Sequence, residues 1–285
     1  MPIGKRNLQD LLPLSLESTP CVSIHRENKV WVAASMLIHY LESFTDSLVV
    51  TDDKSKPLGI VGGKEVLENI LKNPSAAFFD DTVVEDIMDK NVDIISKQIT
   101  LKDLLQRWTQ TRRAFSILPN QFKGYSVISA RKLLEIGANC KTEMTVSELP
   151  KKNIATFMHN DTLKDIIHSM FENKTRRLVF KNTSSFISDR IIIEYIVREL
   201  NYLRNIDYFL DLKFEEPFRL AESKVISDDM KISELSKIMF GMLHPFVIYQ
   251  DQVISPWDLC MALLSDKVEY PMLDNQKNNS SNVTN

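Results

Sequence analysis

The sequence predicts a mixed α/β chain of the α+β class, built from four β-α-β-β-α units set end to end. Three observations predict it. First, Thr100-Leu-Lys-Asp-Leu-Leu returns as Thr162-Leu-Lys-Asp-Ile-Ile, and the leucines Leu101 and Leu163 are 62 positions apart. The same offset carries Val84 to Val146, Asp86 to Glu148 and Ile87 to Leu149, and self-similarity at a fixed period marks a repeat architecture. Second, short β-branched runs occur in pairs with a polar break between them, each pair followed by an amphipathic stretch, which is the pattern of a hairpin leading into a helix. Third, 285 residues exceed one typical domain and suit two.

The elements follow in order. Copy one is the most diverged, with Cys21-Val-Ser-Ile as entry strand, a helix over residues 30–41, strands at 47–50 and Gly59-Ile-Val, and a helix from Lys64. Copy two reads as an entry strand at 93–95, a helix over 101–109, strands at 114–118 and 125–128, and a helix over 130–136. Its first helix shows Leu101, Leu104, Leu105 and Trp108 at helical spacing. Copy three repeats this as 154–157, 163–172, 177–180, 185–187 and 189–200. Past its first helix the offset grows to 64, because Thr111-Arg-Arg returns as Thr175-Arg-Arg. Gly, Asn and Thr between Gly137 and Met144 interrupt the apolar periodicity and suggest a boundary between the two halves.

A longer connection over 201–222 carries Tyr202, Tyr208, Phe209, Phe214 and Phe218, and reads as a helical linker packed over the second half. Copy four opens with Val225-Ile-Ser-Asp-Asp and a helix at Lys231-Ile-Ser-Glu-Leu. Its hairpin joins Phe246-Val-Ile-Tyr to Val253-Ile254 across Gln250-Asp251, and a helix begins at Ser255-Pro-Trp-Asp258. Pro256 suits a first helical turn, where its missing N–H is no loss. Ser255 is the predicted cap, and Asp258 complements the helix dipole. Residues 274–285 are polar, rich in Asn and Ser, and are expected to be disordered.

Composition narrows the function classes. A content of 44% hydrophobic and 26% charged residues is that of a globular protein, and a net charge of -3 argues against a general nucleic-acid binder. No apolar run approaches the length of a membrane span. The N-terminus lacks the apolar core of a signal peptide, so the cytoplasm is the default expectation. Cys21, Cys140 and Cys260 are odd in number and far apart, and read as buried small hydrophobes. The five histidines form no metal-binding spacing. Gly59-Ile-Val-Gly-Gly-Lys-Glu fails as a phosphate loop, because Glu65 stands where Ser or Thr is required.

The four units, with Ser255-Pro-Trp-Asp258 closing a hairpin at a helix start, resemble tandem cystathionine beta-synthase (CBS) domains along almost the whole chain. The resemblance implies motifs at 5–73, 80–138, 142–200 and 216–266, the first two forming one Bateman module and the last two a second. It also implies a site at which a Ser/Thr-x-x-Asp carboxylate holds the ribose hydroxyls of an adenosine ligand. An ionised carboxylate can accept from two hydroxyls at once, which makes the chemistry sound on its own terms. Ser255 and Asp258 match the motif in full. Copy one has Gly62 and Glu65, copy two Ser129 and Lys132, and copy three Ser188 and Ile191 in the two places.

By the same resemblance, Val225, Ile226 and Val253 face the adenine, while His244, Arg176 and Arg177, with Arg112 and Arg113, face phosphates. The guanidinium fork suits phosphate oxygens. The same residues also admit plainer roles, as a helix cap, a half-buried ring and a solvated basic surface. The expected function is therefore a non-catalytic regulator, binding AMP, ADP, ATP or S-adenosylmethionine in the second module and modulating a separate protein partner, with a homodimer as the family's common assembly. The alternative is an interaction scaffold that binds no nucleotide. No nucleophile–base pair, metal constellation or cofactor loop supports an enzyme.

Overall fold

The computed structural model describes residues 2–11, 21–39, 47–120, 122–214 and 219–271. Copy one comprises β1 (Ser23–His25), α1 (Val30–His39), β2 (Ser47–Thr51), β3 (Pro57–Gly62) and α2 (Gly63–Lys72). Copy two comprises α3 (Leu101–Thr111), β4 (Phe115–Pro119), β5 (Tyr125–Ser129) and α4 (Ala130–Asn139). Copy three comprises β6 (Thr156–Phe157), α5 (Leu163–Glu172), β7 (Arg177–Phe180), β8 (Ser185–Ser188) and α6 (Asp189–Arg198). Copy four comprises β9 (Lys224–Ile226), α7 (Ile232–Phe240), β10 (Val247–Tyr249), β11 (Gln252–Ile254) and α8 (Pro256–Ala262). The chain is thus mixed α/β, as the repeat predicts. Leu41, Phe218 and the 274–285 tail lie outside the described residues.

The repeated Thr-Leu-Lys-Asp segment is a helix start. Thr100 and Thr162 accept from the backbone N–H groups of Asp103 and Asp165, both at 3.1 Å, which satisfies donors that a helix leaves open at its first turn. In copies one, three and four the entry strand runs parallel to the middle strand, which pairs antiparallel with the third. A parallel pair needs a crossover, and the first helix of each copy supplies it. Copy two departs from this. Its entry segment keeps one parallel bridge, Ile94 to Ile117, while Asp93 turns its carboxylate onto Ser116 Oγ at 2.6 Å and Arg107 at 3.1 Å.

Two helical cores divide the molecule, and neither belongs to one half of the sequence. One joins copy one to copy three, through residues such as Ala33, Leu37, Val66, Ile166, Ile192 and Ile196. The other joins copy two to copy four, through Leu104, Trp108, Leu133, Leu235, Met239 and Leu259. Copies one and two meet through their sheets, where Val49 and Ile60 pack on Phe115, Ile117 and Val127. Copies three and four meet likewise, with the Phe186 and Phe246 rings 5.1 Å apart. Each sheet therefore buries one face on helices and the other on a neighbouring sheet, which a single copy could not do.

Gly137, expected to mark an interruption, lies inside α4. A β-carbon there would fall 2.6 Å from Ser236 Oγ, so the glycine permits the close approach of α4 to α7. In the 201–222 connection, the helix Leu200–Leu203 and the 3-10 turn Phe209–Asp211 form. There Phe209 and Phe214 are buried, and Tyr202 and Tyr208 face outward. Cys140 and Cys260 are buried as expected, whereas Cys21 is only half-buried at the start of copy one.

Candidate functional site

The helix starts that follow each hairpin carry the candidate chemistry, and the fold resolves the expected site residues into two places. The first is at α8. Asp258 is buried, and its Oδ2 accepts from Ser255 N at 2.9 Å and Ser255 Oγ at 2.7 Å. This reciprocal cap uses the Ser255 hydroxyl inward. The other oxygen, Oδ1, meets Lys152 Nζ at 2.5 Å. Lys152 arrives from the lead-in to copy three, which lies along β11 through the Asn153–Gln252 bridge and a Val253 N–H donated to the Lys152 carbonyl at 3.4 Å.

Beside it, register sorts the apolar candidates. Val225, Ile248 and Val253 align in one row across the sheet, and cross-strand partners share a face. Val225 is 59% exposed, so it is open to a ligand. Ile226, the next residue along β9, turns to the opposite face and packs into the helical core of copies two and four. That burial takes it away from any adenine-facing position, and its alternation with Val225 follows from the two-residue period of a strand.

The second place lies where copies two, three and four meet. Arg176, Arg177 and His244 line one narrow cavity of about 20 Å³, together with Arg131, Asp189 and Arg190, and do not share it with Ser255 or Asp258. Arg131, at the start of α4, donates to the carbonyls of Met242 at 2.7 Å and Leu243 at 3.1 Å, clamping the segment before His244. Asp189 accepts from Arg176 Nε at 2.7 Å and Arg190 N at 3.0 Å. Arg177 stands over the Phe246 ring at 5.4 Å, and His244 meets the Phe186 ring edge-on at 6.0 Å.

Four guanidinium groups face one carboxylate, and His244 reports the resulting field. Burial, followed by the charges of Arg177, Arg190 and Arg131, lowers its pKa to about 4, with Asp189 opposing. Such a pocket favours an anion. Its present volume suits a body the size of a water molecule and is too small for a phosphate group. Arg176 is 41% exposed along its side chain, the Asp189 carboxylate that it meets only 6%.

The remaining helix starts are closed. In copy one, Gly62 N donates to Glu65 Oε2 at 2.9 Å, and Arg113 of copy two pairs with Glu65 Oε1 and, at 3.3 Å, with Asp89. Arg113 is thus part of an inter-copy ion pair rather than a solvated surface, while Arg112 is exposed and caps α3 in the left-handed region. At Asp89, burial works to raise the carboxyl pKa, but the Asn91 N–H and Arg113 outweigh it and hold it low. In copy two, Lys132 is buried and its ammonium is disfavoured by that burial, against the nearby Cys21 and Glu135. Copy three presents Ile191, which is buried.

Sequence reasoning missed Arg131, Arg190, Asp189 and Lys152. A signal existed for two of them: each lies two positions after its hairpin's final serine, in Ser129-Ala-Arg131 and Ser188-Asp-Arg190, so the repeat itself places both at the same corner of a helix start. Lys152 carried no such signal, because only the folded lead-in brings it to Asp258.

No protein-family model and no curated protein matches the chain. Solved structures do. A Methanocaldococcus jannaschii protein described as a candidate archaeal homologue of g-AMPK superposes with a TM-score of 0.69, covering 86% of this chain and 96% of its own at 14% identity. An uncharacterised conserved protein of Pyrococcus horikoshii gives 0.54, covering 90% and 99% at 11% identity. A CBS-domain protein of Agrobacterium tumefaciens covers 46% of this chain and 92% of its own at 19% identity, with a TM-score of 0.39. At these identities the likeness is one of fold: with its four β-α-β-β-α copies, the chain has the fold of a tandem CBS-domain protein.

Proposed function

We propose that this chain is a non-catalytic regulatory protein whose second Bateman module binds an adenosine phosphate and whose occupancy changes its affinity for a separate protein partner. The observation that carries the reading is the pocket of Arg131, Arg176, Arg177, Arg190 and His244 around a single Asp189. It attracts phosphate and repels the sulfonium of S-adenosylmethionine, so AMP, ADP or ATP is the better ligand. In this reading Asp258 accepts from the ribose, Val225 and Val253 support the base, and the phosphates are drawn toward the guanidinium groups. The Methanocaldococcus jannaschii protein, described as a candidate homologue of g-AMPK, is consistent with a regulatory role. Binding regulates only if the ligand prefers one of two arrangements, and the junction of three copies is where such arrangements would differ.

The experiment is calorimetric titration with AMP, ATP and S-adenosylmethionine of the wild-type chain and of Asp258→Ala and Arg177→Ala. Saturable binding of a phosphate ligand that weakens at least tenfold in both variants supports one ligand engaging both places; tenfold corresponds to about 1.4 kcal/mol. Binding indifferent to Arg177→Ala contradicts the assignment of the pocket.

A second reading, an assembly scaffold that binds no nucleotide, is favoured by one observation. Each carboxylate at the helix starts that follow the hairpins, among the described residues, already has a cation, Glu65 from Arg113, Asp189 from Arg176 and Asp258 from Lys152. Absence of heat with all three ligands selects this reading.

A further inference from the structure

The two cross-copy ion pairs at helix starts differ in how firmly their cations are held. The Arg113 side chain is 15% exposed and spans Glu65 and Asp89. Lys152 is 45% exposed and meets a single oxygen of Asp258, the one that Ser255 leaves open. Its backbone is fixed on the edge of β11 by the Asn153–Gln252 bridge and the Val253 N–H bond to its carbonyl, but nearly half of its side-chain surface stays open to solvent. A flexible four-carbon stem lets an ammonium swing away at little cost, whereas a planar guanidinium shared between two carboxylates cannot leave without exposing both.

We infer that Lys152 is a built-in competitor at Asp258: its ammonium occupies the oxygen that the ribose hydroxyls of an adenosine phosphate take, and the ligand binds by displacing it. The inference rests on Asp258 being the ribose acceptor. It adds a device that sets the affinity. The ligand must first break a half-exposed ion pair, so affinity is held down while Lys152 is charged and rises when that charge is removed. The amine is accessible, so any acylation of Nζ, which removes the charge, acts in the same direction as substitution. The corresponding device in the first module is locked, because Arg113 has no comparable exposure.

The test combines affinity with accessibility of the amine, on the full chain. Lys152→Met is expected to bind ATP about two- to fivefold more tightly than wild type, the range that an exposed pair can withhold. Lys152→Arg, which keeps the charge, is expected to stay within twofold of wild type. Reductive methylation with mass-spectrometric readout is expected to label Lys152 faster at saturating ATP than without it, because the displaced amine leaves its carboxylate. Weaker binding by Lys152→Met, or protection of Lys152 by ATP, would overturn the inference and make Lys152 a ligand contact instead. ATP binding that is lost in Asp258→Asn but unchanged in Lys152→Met would sink the competitor while sparing the ribose assignment. No ATP binding by either wild type or Lys152→Met removes the ribose assignment, and the inference with it.

Discussion

Glu65 and Asp258 sit at the same point of the repeat, three residues after the N-cap that follows a hairpin, and each is buried with a cation from another copy. The surroundings of those cations separate them. Arg113 completes a three-member network with Glu65 and Asp89 between copies one and two, and functions as a structural rivet. Lys152 rests on one oxygen with its side chain half exposed, and in the inference drawn above it is a removable cover. The same repeat position has therefore become structure in copy one and, in the reading proposed above, a working site in copy four. What decides between the two is solvent access to the cation, more than the presence of the carboxylate.

The contrast makes ordered predictions. The largest effect is expected from Arg113→Ala, which strands the buried Glu65 carboxylate without its partner. Breaking a buried pair costs about 3–5 kcal/mol, read as a fall in the urea midpoint, and Glu65→Gln in the same chain should recover much of it. A loss below 1 kcal/mol would remove the distinction between rivet and cover. Next is Gly63→Ala at the start of α2, where a β-carbon collides with the Asp189 carboxylate. Overpacking at this junction of copies one and three should cost about 1–3 kcal/mol and disturb the basic pocket with it, so any phosphate binding there should weaken together with stability.

The pH response is expected to be smaller. His244 is held at about pKa 4 in the fold against an ordinary 6.5, so between these values the unfolded chain binds more protons than the folded one. Stability is then fully present above pH 6.5 and declines as pH falls toward 4, by on the order of 1 kcal/mol once solvent screening of the half-buried ring is allowed for. Thermal melts from pH 7 to 4.5 measure this, and His244→Asn should flatten the slope. An identical slope in the variant would place the titration elsewhere. The smallest effect is expected from Lys152→Met on the unliganded chain, at about 0–1 kcal/mol. A loss comparable with that of Arg113→Ala would show that Lys152 is a rivet too.

Much of this was legible in sequence because the information is local. The Thr100 and Thr162 caps, the paired hairpins and the Ser255 cap each follow from residues within a few positions, and repetition multiplied their weight. The joining of copy one to copy three through helices was not legible, since amphipathic faces such as those of α1 and α6 do not name their partner. Within the site, Val225 and Ile226 are equally apolar, so only register shows that Val225 opens outward and Ile226 enters the core. Likewise Arg176, Arg177 and His244 carried a chemical signal, but the separation of their pocket from Asp258 depended on tertiary packing, as did the arrival of Lys152.

The central claim is that an arginine-rich junction selects an anionic adenosine ligand. Competition calorimetry with ATP and S-adenosylmethionine on the wild-type chain tests it most directly. The account predicts saturable ATP binding that S-adenosylmethionine does not displace and that weakens with added salt, as screening of a charged pocket requires. Saturable binding of S-adenosylmethionine with no ATP binding would contradict it.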